Sequence, residues 1–342
     1  MKRNLLLIIG IIAFLFPMNL TAQQGPKISG YAQGWWQMNA TEGHVTDNTF
    51  RARRVRLSVD GTLAKGLTYK IQGDFLRSPM LVDAYVKYKV CDEFAIQVGQ
   101  FKTPFTLESP INPVNLEIFN YGESVQKLGG YSDVCGVGAL GRDLGVMFTG
   151  NLFKPYGEDF SIVTYSIGVF NGNGVNIIDN NNRKDFVGRL EIRPWLKDLT
   201  LSGSYYYGWY DIHNDATTIH NGLRERWSAG AQYNDGDLVV RAEYLHGTTG
   251  LPNEKNMSTE GYYAVAGYNI RFGNYSEQKM MPVFRFEHFA KDIAVAGATD
   301  YYTIGLNYWP VKSLNLKLDF SLIQPKEGTN SHRVVGMLSY KF

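Results

Sequence analysis

The sequence predicts an all-β fold, a transmembrane antiparallel β-barrel of about sixteen strands with a long third loop folded inward. Three observations predict it. At the end of the chain Val334, Gly336, Leu338, Tyr340 and Phe342 alternate with Arg333, Ser339 and Lys341, and the last residue is aromatic. That period of two turns apolar side chains toward lipid and polar ones toward a lumen. Segments of the same kind recur along the chain, joined alternately by tight turns and by long polar stretches. Finally, an export leader precedes a chain of slightly negative mean hydropathy that lacks an apolar run long enough for a membrane helix.

The leader comes first. Lys2 and Arg3 open into the apolar run Leu5–Phe16, which Pro17 ends, and Leu20-Thr21-Ala22 supplies a small residue for cleavage. Residues 1–22 therefore read as a signal peptide and residues 23–342 as a single outer-membrane barrel in a bacterial cell. Of the 34 basic residues two lie in the leader, leaving 32 against 32 acidic ones. A neutral mature chain argues against nucleic acid as a partner. Its partners are read as outer-membrane lipid and lipopolysaccharide and the small solutes or ions that pass through. Cys91 falls in a tight turn and Cys135 in a long loop at the opposite rim, so the two are expected to stay unpaired.

Alternation places strands near 28–38, 50–63, 67–76, 81–90, 93–101, 142–152, 160–170, 185–194, 198–209, 225–234, 237–246, 259–272, 280–289, 300–309, 312–323 and 332–342. In the second, Val55, Leu57, Val59 and Leu63 face out while Arg54, Arg56, Ser58 and Asp60 face in. In the fifteenth, Leu314, Leu316, Leu318 and Phe320 oppose Asn315, Lys317, Asp319 and Ser321. Ala64–Gly66, Cys91–Asp92, Pro194–Lys197 and Asp235–Gly236 are tight turns. Asn39–Thr49, Lys102–Gly141, Asn171–Lys184, Tyr210–Arg224, Gly247–Ser258, Ala290–Thr299 and Gln324–Ser331 are expected as long external loops, with Ser78–Met80 their one short member. Tyr205–Tyr207, Tyr262-Tyr263 and Tyr301-Tyr302 supply candidates for interfacial girdles.

Lys102–Gly141 is the longest connection. Its apolar residues Phe105, Leu107, Ile111, Val114, Leu116, Ile118 and Phe119 call for an ordered packing partner. Folding into the barrel to narrow an otherwise open channel meets that need, and an external lid or subunit contact is the alternative. Inward positions carry Arg54, Arg56, Lys70, Lys87, Arg189, Arg241 and Arg285 interleaved with Asp60, Asp74, Asp83, Glu243 and Glu287. Rows of basic side chains would select anions, whereas paired charges would only build the wall. Arg51 and Arg53 take the opposite parity and are expected at the external rim.

Val98-Gly-Gln-Phe-Lys-Thr-Pro-Phe-Thr-Leu-Glu108 resembles the segment entering the third loop of the phosphate-selective porin O and P family. Phe50-Arg-Ala-Arg-Arg-Val-Arg-Leu57, Asp83-Ala-Tyr-Val-Lys-Tyr88 and Gly141-Arg-Asp-Leu-Gly-Val146 extend the resemblance, which covers nearly all of the mature chain. It implies a sixteen-stranded, trimeric outer-membrane channel with an inward third loop. Arg54, Arg56 and Lys102 are the positions that sit in motifs matching the family's arginine ladder and central lysines. Candidate pore-lining and constriction residues are Arg54, Arg56, Lys70, Lys87, Lys102, Glu108, Glu117 and Arg142.

The function expected is a porin, a water-filled diffusion channel for small solutes, with anions such as phosphate as candidates. The alternative is a non-conducting outer-membrane receptor or adhesin barrel. No enzyme is expected, because a barrel hydrolase needs a Ser and His within hydrogen-bond reach and oriented by a third group. No cofactor or metal is expected either. His44, His213, His220 and His246 fall in or beside loops without ligand spacing, and Lys184 occupies the sharp-turn position of a would-be calcium loop.

Overall fold

A computed structural model describes residues 25–138, 140–194, 196–213, 218–251, 255–272, 278–295 and 297–342. The expected leader, 1–22, lies outside these residues, as do the tips 214–217 and 252–254 of two expected loops. Sixteen strands follow one another: β1 (Lys27–Thr41), β2 (His44–Ala64), β3 (Leu67–Asp74), β4 (Leu81–Lys89), β5 (Ala95–Lys102), β6 (Arg142–Leu152), β7 (Val163–Phe170) and β8 (Asp185–Ile192). Then come β9 (Leu199–His213), β10 (Thr218–Asn234), β11 (Leu238–Gly250), β12 (Asn256–Tyr268, resumed at Ile270–Arg271), β13 (Lys279–Ala290), β14 (Thr299–Val311), β15 (Leu314–Pro325) and β16 (Ser331–Lys341).

Every strand pairs antiparallel with its neighbours in sequence, and β16 pairs back onto β1 from Tyr31↔Lys341 to Thr41↔Ser331. The sheet is therefore a closed cylinder without an edge. Gly30 and Phe342 exchange two backbone hydrogen bonds of 3.0 Å, so both termini lie at one end, here the terminal end. The opposite, loop end carries the segment between β5 and β6.

Alternation sets which face each side chain takes. Ile71, Val98, Leu144, Ile167, Leu190, Phe284, Ile304, Leu318 and Leu338 point outward, each 46–59% exposed. Gln33, Ser58, Gln72, Asn315, Ser321 and Ser339 point inward and are buried. An apolar surface that encircles the whole cylinder requires a lipid solvent. Within each tyrosine pair the same rule applies: Tyr262 and Tyr302 face out, whereas Tyr263 is buried and bonds Glu243. Outward rings of Trp227, Tyr244, Tyr262, Phe286 and Tyr302 touch in turn across β10–β14, a girdle at one height.

Four expectations are corrected. Asn39–Thr49 is a continuation of β1 and β2, turned by Glu42 and Gly43 at φ 52° and 79°. Two successive positive φ values give the tight turn whose twist matches that of a hairpin. Tyr210–Arg224 is likewise mostly strand, belonging to β9 and β10. Conversely, Phe153–Ile162 at the terminal end is a ten-residue connection, so turns there are not uniformly tight.

The fourth correction bears on function. Gln33 faces Arg54, but the next residue of β1, Gly34, faces Ala52, leaving Arg53 as an extra residue. This β-bulge reverses the parity beyond it, so Arg51 and Arg53 turn inward beside Trp35 and not to the external rim.

The outward face predicts a depth-dependent cost. Replacing Leu318 with Arg puts a charge at mid-height of β15 and should lower stability by about 2–4 kcal/mol. Urea titration of refolding into lipid vesicles measures it, and an unchanged midpoint would show that this face does not meet lipid.

Candidate functional site

The segment Thr103–Gly141 carries both anchors and apolar filling. Asn112 caps a short 3₁₀ turn at Pro113–Asn115 by accepting from the Val114 N–H at 3.3 Å, and α1 (Glu123–Leu128) follows. Wall arginines on three strands take carboxylates from this segment. Arg241 of β11 pairs with Glu117 at 2.5 Å, Arg285 of β13 with Glu108 at 2.5 Å, and Arg226 of β10 with Asp133 at 2.9 Å.

Wall carboxylates complement them by accepting backbone N–H groups of the segment. Leu107 donates to Glu243 at 2.8 Å, Ser124 to Glu287 at 2.7 Å and Phe119 to Asp319 at 2.7 Å. Lys317 donates to the carbonyls of Leu116 and Ile118, and Asn307 to that of Glu117. Without these partners an irregular backbone inside a barrel would leave polar groups unsatisfied. Gly122 matters here for its missing side chain, since a Cβ would overlap the Arg285 guanidinium.

Apolar side chains complete the contact. Phe105 packs edge-on against Tyr206 and Phe119 against Trp35. Phe105, Leu116, Val125 and Leu128 join inward-facing Val187, Val239, Val265 and Val283 of the wall in one core cluster. The lumen face of β8 and β11–β13 is thus partly apolar, in contrast to the polar lining expected from alternation. Burial opposes charge on Asp133, yet Arg226 and Arg224 hold its carboxyl below the usual range. Next to it, burial pushes the Cys135 thiol up to about 12; Cys135 and the exposed Cys91 are both free.

Anchoring uses charges unequally. Arg56 pairs with Asp74 at 3.0 Å and Arg142 with Asp83 at 2.6 Å. Arg54 instead meets amides, donating to Gln33 Oε1 and to Asn120 Oδ1, each at 3.0 Å. Arg53 reaches the same Asn120 oxygen at 3.4 Å and lies 4.9 Å from the Trp35 ring centre, and Arg333 lies 4.6 Å from that of Phe119. Among the described residues no carboxylate forms an ion pair with Arg51, Arg53, Arg54 or Arg333.

Two cavities adjoin this group: Arg51, Arg53 and Arg333 line the first, and Arg56 the second. One of about 310 Å3 opens toward the loop end, lined by Trp35, Arg51, Arg53, Glu123 and Arg333. The other, about 250 Å3, lies toward the terminal end, lined by Arg56, Lys70, Asp83, Lys102 and Arg142. Arg54, which lines neither, is buried, as are Asn120 and Tyr121 of the first cavity's lining. The Lys102 ammonium donates to Tyr121 Oη at 3.0 Å and to the Ile111 carbonyl at 3.1 Å.

Of the residues singled out from sequence, Arg56, Lys70, Lys102 and Arg142 come together around the second cavity, and Arg54 lies on the same strand as Arg56. Lys87 projects inward from β4 without lining either cavity. Glu108 is fully buried, and Glu117 borders a third cavity of about 650 Å3 at the terminal end. Sequence reasoning missed Arg51, Arg53, Asn120 and Trp35. Asn120 carried no signal, while the Phe50–Leu57 motif did contain the two arginines.

A sequence model of the family "Phosphate-selective porin O and P" matches residues 30–234. No curated protein matches the chain in sequence. Among solved structures, an anion-selective porin from Comamonas acidovorans superposes with a TM-score of 0.67 at 13% identity, covering 93% of this chain and 99% of that one. The trimer form of OmpT from Vibrio cholerae gives 0.64 at 11% identity over 93% and 100% of the two chains. OmpF of Salmonella typhi, in complex with daunomycin, gives 0.62 at 14% identity over 93% and 97%.

The anchors set a stability prediction. Glu117→Gln leaves Arg241 charged, buried and without its carboxylate, a loss of about 3–5 kcal/mol. The expected outcome is a barrel whose strand content is retained in circular dichroism while the 103–141 segment becomes sensitive to protease. Continued protection of that segment would rule out the Glu117 anchor.

Proposed function

The chain belongs to the phosphate-selective porin O and P family, and from that membership we propose that its outer-membrane diffusion channel favours small anions, phosphate among them. One observation carries the reading: the charge left over once the loop is anchored. Arg226, Arg241 and Arg285 are neutralised by carboxylates of the loop, whereas Arg51, Arg53, Arg54 and Arg333 meet amides and aromatic faces. Uncompensated guanidiniums in a narrow lumen attract anions and repel cations. Their spacing along β2 lets an anion exchange one planar fork for the next, with Lys102 and Lys70 continuing the row.

The Thr103–Gly141 loop acts as the constriction, and an anion displaces the Asn120 amide from Arg54 as it passes. The working unit is a homotrimer in lipid and lipopolysaccharide, exported by the 1–22 leader. The trimer form of OmpT, which shares the fold, supports that assembly. A channel and not a catalyst is the role of the barrel. Ser258 does approach His246 at 3.4 Å on the outer face, but Glu260, opposite His246 in the strand pair, accepts from Tyr244 instead.

In a planar bilayer under a potassium chloride gradient, the reversal potential of the native channel should carry the sign of chloride preference. Arg51→Ala, Arg53→Ala and Arg54→Ala together should move it to zero or beyond. A steady current with an unchanged potential would remove these arginines from the mechanism, and the lack of any steady current would favour a receptor.

Glu123 supplies a pH dependence. Burial raises its carboxyl above the usual range, against the pull of Lys127. As pH falls through that raised value the carboxylate is lost, so anion preference should rise toward acid. The Glu123→Gln channel should show the higher preference throughout, and an equal slope in both would contradict this assignment.

A further inference from the structure

Three arginines of the loop-end cavity lie over aromatic rings that line it with them. Arg51 and Arg53 are 5.5 Å and 4.9 Å from the ring centre of Trp35, and Arg333 is 4.6 Å from that of Phe119. The two rings also touch each other, with centres 5.6 Å apart. A guanidinium that gives its face to a ring keeps its N–H edge for a planar acceptor. Among the described residues the Arg53 and Arg333 Nε atoms have no hydrogen-bond partner.

Trp35 adds a donor of its own. It is only 7% exposed, and its indole N–H has no partner among the described residues. The next residue, Trp36 on the outward face, donates to Asn48 at 2.7 Å. A buried N–H left unpaired lowers stability, so its presence calls for an acceptor that arrives from the cavity. The carboxylates of the lining are already engaged. Glu123 meets Lys127 at 3.6 Å, and Glu287 accepts from the Ser124 N–H at 2.7 Å and lies 3.5 Å from Arg285 Nε.

Apolar surface decides which acceptor fits. Ile118, Phe119 and the half-buried Tyr301 line the same space. A cavity of about 310 Å3 with aromatic and aliphatic walls and a few convergent donors has the composition of a small-molecule site. Chloride or phosphate would gain from the guanidiniums alone and would set its charge against apolar side chains without return. A carboxylate carried by a flat apolar body uses both halves of the lining.

We infer that the loop-end cavity is a binding site for aromatic carboxylates. The carboxylate takes the N–H edges of Arg51 and Arg53 and the indole N–H of Trp35, and the ring lies against Ile118, Phe119 and Tyr301. This rests on the anion-channel reading, whose class of solute it narrows.

Calorimetric titration of the detergent-solubilised protein with sodium benzoate, acetate and phosphate tests the assignment. Benzoate should bind about tenfold more tightly than acetate, because only benzoate has a ring to bury, and more tightly than phosphate. Trp35→Leu should erase the advantage of benzoate. Tyr301→Ser, which leaves the contact of Trp35 with Phe119 in place, should reduce it severalfold. Equal affinity for benzoate and acetate, tighter binding of phosphate, or a benzoate advantage that survives both substitutions would overturn the assignment. The reversal potential in a bilayer keeps this outcome apart from failure of the channel reading. Benzoate binding without chloride preference would sink the channel and sustain the site, whereas chloride preference without benzoate binding would sink the site alone.

Discussion

Closure of the hydrogen-bonded ladder is the constraint on which the rest depends. In lipid no water competes for backbone N–H and C=O groups, so a sheet can persist there only if its last strand pairs with its first. Here the pairing of β1 with β16 meets that condition along the length of both strands. Once the cylinder closes, the two-residue period of a strand sorts the whole sequence into an outside and an inside. Leu316, Leu318 and Phe320 are apolar because lipid is their solvent, and Asn315, Lys317 and Asp319 are polar because the lumen is theirs.

The inside then presents its own problem, that of holding a long irregular segment in place. Charge and hydrogen bonding solve it together. Arg241 and Arg285 fix Glu117 and Glu108, while Glu243, Glu287 and Asp319 take up backbone N–H groups that no strand supplies. A buried ion pair contributes little net stability, yet leaving one partner unpaired costs several kcal/mol. Such contacts therefore specify where the segment lies more than they stabilise the fold. The arginines not consumed in this way are Arg51, Arg53, Arg54 and Arg333, which meet amides and aromatic rings.

Much of the fold is legible in the sequence because lipid imposes alternation wherever strands cross it. Above the membrane that pressure ends, so polar stretches such as Asn39–Thr49 read as loop although Trp36 bonds Asn48, at 2.7 Å, across the hairpin. The bulge at Arg53 is invisible for a different reason. One extra residue flips every side chain beyond it, and neither Ala52 nor Arg53 is a residue type that marks the position. Arg54 and Arg56 were legible as inward-facing. Their differing fates were not, because Arg54 meets Asn120, 66 positions away in a loop whose placement alternation does not fix, whereas Arg56 meets Asp74 on the neighbouring strand.

The location of the 103–141 segment within the cylinder is the central claim, and a pulsed spin-label distance measurement tests it most directly. With Cys91 and Cys135 replaced, labels would be placed pairwise at Glu123 and at outward Phe148 and Phe320, on roughly opposite walls. A segment strapped across the lumen gives distances from Glu123 to each wall that are both shorter than the distance between Phe148 and Phe320. A distance from Glu123 to either wall that exceeds the wall-to-wall separation would mean that the segment lies outside the barrel, and the account would be wrong.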